Sequence, residues 1–163
     1  MPDQHIAALA AQLGARLGAL GQVLATAESC TGGWVSQAVT EVAGSSAWFD
    51  RGFVTYTNAA KQELLDVPAA VLAAHGAVSA ETVRAMAAGA LRHSHADCAV
   101  ALSGIAGPTG AVPGKPVGTV WMAWQRRGGE CVTHRAQFDG DRRTVRGLAV
   151  AAALRGILDL YGD

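Results

Sequence analysis

Gln22-Val23-Leu24-Ala25-Thr26-Ala27, then Glu28-Ser29-Cys30-Thr31-Gly32-Gly33, then Trp34-Val35-Ser36-Gln37-Ala38-Val39: this stretch decides the fold. Residues 22–27 form a short apolar run and read as a strand. From 32 to 42, Trp34, Val35, Ala38, Val39 and Val42 share one face at helical spacing, which predicts a helix. A buried strand that passes through two glycines into a helix opens a β–α crossover of a parallel sheet.

Upstream, Ile6, Leu9, Leu13, Leu17 and Leu20 recur at three- and four-residue steps and predict an amphipathic helix over 3–21. Downstream, 48–57 is aromatic and β-branched, a strand signature. Asn58 reads as the cap of a short helix at 59–65, and Pro68 suits the first turn of another. Ser79 reads as the cap of a long helix over 80–94, with Val83, Met86, Ala87, Ala90 and Leu91 inward. Residues 98–102 are continuously apolar, as in a strand covered on both faces. After a Gly/Pro-rich stretch at 103–118, strands at 117–125 and 130–138 flank Arg126-Arg127-Gly128-Gly129, a hairpin signal. Residues 141–160 close the chain as a helix. This order predicts an α/β fold: a single three-layer α/β/α domain with a mixed β-sheet, spanning 1–163.

The chain has 163 residues and half of them are apolar, but 34 are alanine, so the core must pack small side chains closely. A domain of this size buries roughly two-thirds of its extended-chain surface and needs no disulfide or metal staple. Thirteen basic residues balance thirteen acidic ones. That balance argues against nucleic acid or an anionic membrane as partner, since both call for a basic excess. The longest apolar run, 148–154, is far short of a bilayer span. No basic cluster precedes a hydrophobic stretch at the N-terminus, so no secretory signal is expected. Cys30, Cys98 and Cys131 form no C-x-x-C pair and fit reduced thiols of the cytoplasm. No histidine has metal-ligand spacing, so no metal site is expected. Four tryptophans in a neutral, alanine-rich domain fit a core or a self-association surface, and a homo-oligomer is expected.

Two loops follow strands directly, where open α/β sheets bind ligands. In Glu28-Ser29-Cys30-Thr31-Gly32-Gly33, Thr31 is placed to cap the next helix, and Gly32 and Gly33 would open backbone N–H groups to an anion. Ser103-Gly104-Ile105-Ala106-Gly107-Pro108-Thr109-Gly110 is the second. Together they point to a nucleotide-like ligand, although neither matches a dinucleotide or P-loop pattern. Of the thirteen basic residues eleven are arginine, and the only lysines are Lys61 and Lys115. Arginine keeps its proton in proteins, whereas a desolvated lysine can act as a base. Lys115 reads as a solvated ammonium in its loop; Lys61 reads as the base. Ser29 then becomes a candidate nucleophile of the Ser–Lys kind. Cys30 is its rival by adjacency but reads first as a small buried residue. Arg142, Arg143 and Arg146 either form a solvated face or reach a phosphate.

These motifs, with Gly52-Phe53-Val54-Thr55-Tyr56-Thr57-Asn58, Ala77-Val78-Ser79, Lys115-Pro116-Val117-Gly118-Thr119-Val120 and Gly140-Asp141-Arg142, resemble the CinA C-terminal domain family, in order and over nearly the whole chain. The resemblance is to the stand-alone form, without the molybdopterin-binding-like domain of longer members. It implies a nicotinamide-nucleotide amidase that converts nicotinamide mononucleotide to nicotinate mononucleotide and ammonia, with no cofactor and no metal. It puts the nucleophile at Ser29, the lysine at Lys61 and the tyrosine at Tyr56. Cys30, Thr31, Gly32, Gly33, Ser103, Gly104, Ala106, Gly107 and Arg142 are the expected substrate-binding residues. The competing class is a non-catalytic nucleotide-binding or competence-associated interaction module.

Overall fold

The computed structural model describes residues 2–162. Its sheet has the order β2-β1-β3-β4-β5, from β1 (Leu24–Glu28), β2 (Phe49–Val54), β3 (Cys98–Gly104), β4 (Thr119–Arg126) and β5 (Cys131–Gln137). β1 is parallel to both β2 and β3, whereas β4 runs antiparallel to β3 and β5 to β4. The mixed sheet expected from the element order is therefore present, with the Arg127-Gly128 turn joining β4 to β5.

Alternation along the inner strands sorts the side chains into two cores. Leu24, Val100, Leu102, Val120 and Met122 face α1 (Pro2–Leu20), α2 (Trp34–Thr40) and α6 (Arg142–Leu160). On the opposite face Ala25, Ala27, Ala99, Ala101 and Ala123 meet α5 (Ala80–Arg92) and the ends of α3 (Asn58–Leu65) and α4 (Ala69–His75). Small side chains on that face let α5 lie close against the strands. This is where the alanine content is put to use. Trp48 and Trp124 are buried, while Trp34 and Trp121 are half-buried against the two cores.

Three local expectations are corrected. Thr57, still extended, is the cap of α3, its hydroxyl accepting from Ala60 N at 3.0 Å, and Asn58 is already helical. Pro68 precedes α4 as its cap residue rather than sitting in its first turn. β4 starts at Thr119 rather than 117, because Thr119 N donates to Pro116 O across a turn that puts Gly118 at φ 92°. Ser79 caps α5 as expected, accepting from Thr82 N at 3.2 Å.

Gly89 on α5 sets how α5 meets the end of α3. A Cβ there would fall 2.0 Å from the Leu65 carbonyl oxygen, which is backbone and cannot rotate aside. Gly89→Ala gains about 1 kcal/mol of helix propensity, but the overlap costs more. The expected net loss is about 1–3 kcal/mol, read as a lower midpoint in thermal melting. A variant as stable as the parent would contradict this packing.

Candidate active site

Parallel pairing brings the carboxyl ends of β2, β1 and β3 side by side, with Glu28 opposite Val54 on one neighbour and Leu102 on the other. The residues that follow each strand share one cavity of about 290 Å³. Ser29 comes from β1, Tyr56 from β2, and Ser103, Gly104, Ala106 and Gly107 from β3. Lys61 enters from α3, and Cys30 and Arg142 also line it, but three residues of the expected group do not. Ala77 and Val78 also line it; the sequence marks them as part of a motif without giving them a role. Thr31, Gly32 and Gly33 line a separate shallow depression with Trp34, Arg143 and Arg146.

Lys61 is 1% exposed. Its Nζ donates to Ser29 Oγ at 3.0 Å, Thr55 O at 2.9 Å and Tyr56 O at 3.0 Å. The solvated first-turn lysine that helix position alone would give is thus absent. Burial pulls its pKa from 10.5 down to about 8, because an ammonium loses hydration there. Two carbonyls and one hydroxyl form the cage, with a carboxylate in none of the three places.

Tyr56 meets Lys61 through its carbonyl. The residue is 62% exposed, and its hydroxyl accepts from Arg142 Nη2 at a long 3.4 Å. Arg142 Nη1 donates to Gly107 O at 2.9 Å, which links the start of α6 to the β3 loop. Arg146 donates to Cys30 O at 3.0 Å and Thr31 O at 3.2 Å and so holds the β1 turn from the same helix. Arg143 lies over the Trp34 ring, 4.9 Å from its centroid. The Cys30 thiol is buried and pushed up to about 11, mainly by desolvation, which keeps it protonated near neutral pH. Lys115 donates to His75 O at 2.8 Å.

One expectation about the β1 turn is overturned. Thr31 does not cap α2; its hydroxyl donates to Glu28 Oε1 at 2.7 Å. The first N–H groups of α2 are not open to an anion either, because Glu28 accepts from Val35 N and Ser36 N at 2.8 and 2.9 Å. Sequence reasoning quoted Glu28 but gave it no role. An acid at the end of a strand, just before a Gly-Gly helix start, is the signal that could have found it.

Fold and cleft define a three-layer α/β domain with a buried serine–lysine pair at the head of its parallel strands. The chain matches the CinA C-terminal domain over residues 6–161 and belongs to that family. It is 53% identical over 155 residues to the nicotinamide-nucleotide amidohydrolase PncC of Escherichia coli K12, covering 95% of this chain and 94% of that protein. The PncC of Pseudomonas putida is 52% identical over 155 residues, with 95% and 96% covered. Among solved structures, the competence/damage inducible protein CihA of Agrobacterium tumefaciens superposes with a TM-score of 0.94 at 46% identity, over 96% of each chain.

Proposed function

We propose that this chain is a nicotinamide-nucleotide amidase that hydrolyses the carboxamide of nicotinamide mononucleotide through an acyl-enzyme on Ser29. The observation that carries the reading is the 3.0 Å contact between Lys61 Nζ and Ser29 Oγ, both buried. A neutral Lys61 has two N–H groups, which the Thr55 and Tyr56 carbonyls accept, and one lone pair, which is left for the Ser29 proton. Ser29 Oγ attacks the carboxamide carbon as Lys61 takes its proton. The N–H of Cys30, next to the nucleophile, is the oxyanion donor of this mechanism, a role typically worth about 3–4 kcal/mol. Lys61 then protonates the leaving nitrogen, ammonia departs, and water attacks the ester with Lys61 again as base. A pure binding module has no use for a buried amine poised on a hydroxyl.

Ala77, Val78 and Ile105 give the cavity an apolar wall for the pyridine ring, and Arg142 at its rim gives a partner for the phosphate. Arg142→Ala is expected to raise KM for nicotinamide mononucleotide about 10- to 100-fold, the worth of one charge-assisted contact. Its kcat should stay within a few-fold, and the phosphate-free riboside should be unaffected. An unchanged KM would remove Arg142 from the phosphate site. The reading also includes a cytoplasmic enzyme that self-associates. Among the described residues no helix is long and apolar enough to cross a membrane. The function itself is tested by incubating purified protein with nicotinamide mononucleotide. Ammonia and nicotinate mononucleotide should appear in equal amounts, and the absence of both would refute the reading.

A further inference from the structure

Glu28, at the end of β1, has no exposed surface, and among the described residues no cation pairs with it. Its carboxylate instead accepts four hydrogen bonds. Oε1 takes Thr31 Oγ1 at 2.7 Å and Val35 N at 2.8 Å; Oε2 takes Ser36 N at 2.9 Å and Ser36 Oγ at 2.7 Å. All four donors lie beyond Ser29 in the chain, so the side chain bridges the Ser29–Gly33 turn from its first end to its second. A further contact, Ser36 Oγ to Thr26 Oγ1 at 2.8 Å, ties the same point back to β1. Gly52 on β2 leaves room for that pair: a Cβ there would fall 2.4 Å from Ser36 Oγ.

Burying a carboxylate costs several kcal/mol, offset here by the donors and the positive end of α2. A helix of seven residues could be capped more cheaply by a serine at its own start. The arrangement does something a local cap cannot. It fixes where β1 hands over to α2, and with it the position of Ser29, whose N donates to Leu102 O at 3.1 Å. It also takes up the α2 donors Val35 N and Ser36 N, while Trp34 N donates to Thr31 O at 3.0 Å.

We propose that Glu28 is a positioning residue for the reaction: its carboxylate, through these four hydrogen bonds, clamps the turn and holds Ser29 Oγ on Lys61 Nζ. This rests on the serine–lysine reading above. Glu28→Gln keeps the size but turns an amide N–H₂ towards backbone N–H donors that have no other acceptor. A misplaced nucleophile typically costs about 100-fold. The expected result is a kcat about 100-fold lower on nicotinamide mononucleotide, with KM and product binding within threefold and a cooperative thermal melt. A merely structural role would lower the melt and leave kcat per folded molecule unchanged. Ser36→Ala and Thr31→Val each remove one hydroxyl donor and keep the charge. Each should lower kcat about 3- to 10-fold at unchanged KM, and they carry the test if Glu28→Gln does not fold. A folded Glu28→Gln with kcat within threefold of wild type overturns the proposal, as do wild-type kcat values in both hydroxyl variants. Wild-type protein that releases no ammonia removes the amidase reading and this role together; wild-type turnover matched by Glu28→Gln removes this role alone.

Discussion

Ser29→Ala is expected to turn over nicotinamide mononucleotide about 10⁵-fold more slowly than the parent, or worse. Removing a nucleophile leaves only binding and oxyanion stabilisation, and losses of this kind correspond to about 7 kcal/mol at 1.4 kcal/mol per tenfold. Binding should survive, because Arg142 and the β3 loop do not depend on the Ser29 hydroxyl. Folding should survive as well. Lys61 Nζ keeps its contacts to Thr55 O and Tyr56 O, so the change loses the Lys61–Ser29 hydrogen bond and the long 3.5 Å one from Ser29 Oγ to Tyr56 O, about 1–2 kcal/mol. Ammonia release and product titration on the same preparation check both halves. Cys30→Ala is the matched control and should stay active, since a thiol pushed up to about 11 is not a nucleophile near neutral pH.

Lys61→Arg should cost about 10³-fold, through proton transfer and geometry together. Arginine holds its proton throughout the working pH range, and its planar fork does not fit a cage shaped for a compact ammonium. In the parent, kcat/KM should climb with pH through about 8, as Lys61 becomes the neutral base. The same titration sets a stability trend. In the folded chain Lys61 gives up its proton near 8; in the unfolded chain it does so near 10.5. Between those values the unfolded state binds more protons, so the Lys61 contribution to stability rises with pH across that window. Below pH 8 the burial penalty is present in full, at most roughly 3 kcal/mol. Denaturant melts of parent and Lys61→Arg at pH 7.5, 9 and 10 should therefore show the parent gaining on the variant. A constant difference would mean that burial does not shift Lys61.

The strands and helices were readable because each carries its own period. Within the 22–27 run residues 24–27 are buried on both faces, as are 98–102, and 130–138 holds an edge strand with one face open. Helix caps were harder. Thr57 and Asn58 are both good cap residues in adjacent positions, and backbone dihedrals choose between them. Ser29 and Lys61 stood out as residues, one by its Gly-rich turn and one by the scarcity of lysine. Their meeting depends on β1 and β2 pairing in a register that places Glu28 beside Val54, which no periodicity encodes. Two contacts around the site, the Tyr56 carbonyl on Lys61 and the Glu28 carboxylate on Val35 N and Ser36 N, are hidden in the sequence for a related reason. Tyr56 serves Lys61 with its carbonyl, and a sequence advertises side chains rather than backbone acceptors. Glu28 reaches residues seven and eight positions ahead, beyond the three-residue reach of ordinary capping patterns.

The covalent step at Ser29 is the central claim, and hydroxylamine tests it most directly. Wild-type enzyme would turn over nicotinamide mononucleotide in increasing hydroxylamine while ammonia, nicotinate mononucleotide and the corresponding hydroxamate are measured. An ester on Ser29 Oγ is open to any small nucleophile. The hydroxamate should therefore rise at the expense of nicotinate mononucleotide, with ammonia release undiminished and no hydroxamate from Ser29→Ala. Ammonia release with nicotinate mononucleotide as the sole product at every hydroxylamine concentration would mean that water attacks the amide directly, and would contradict the acyl-enzyme.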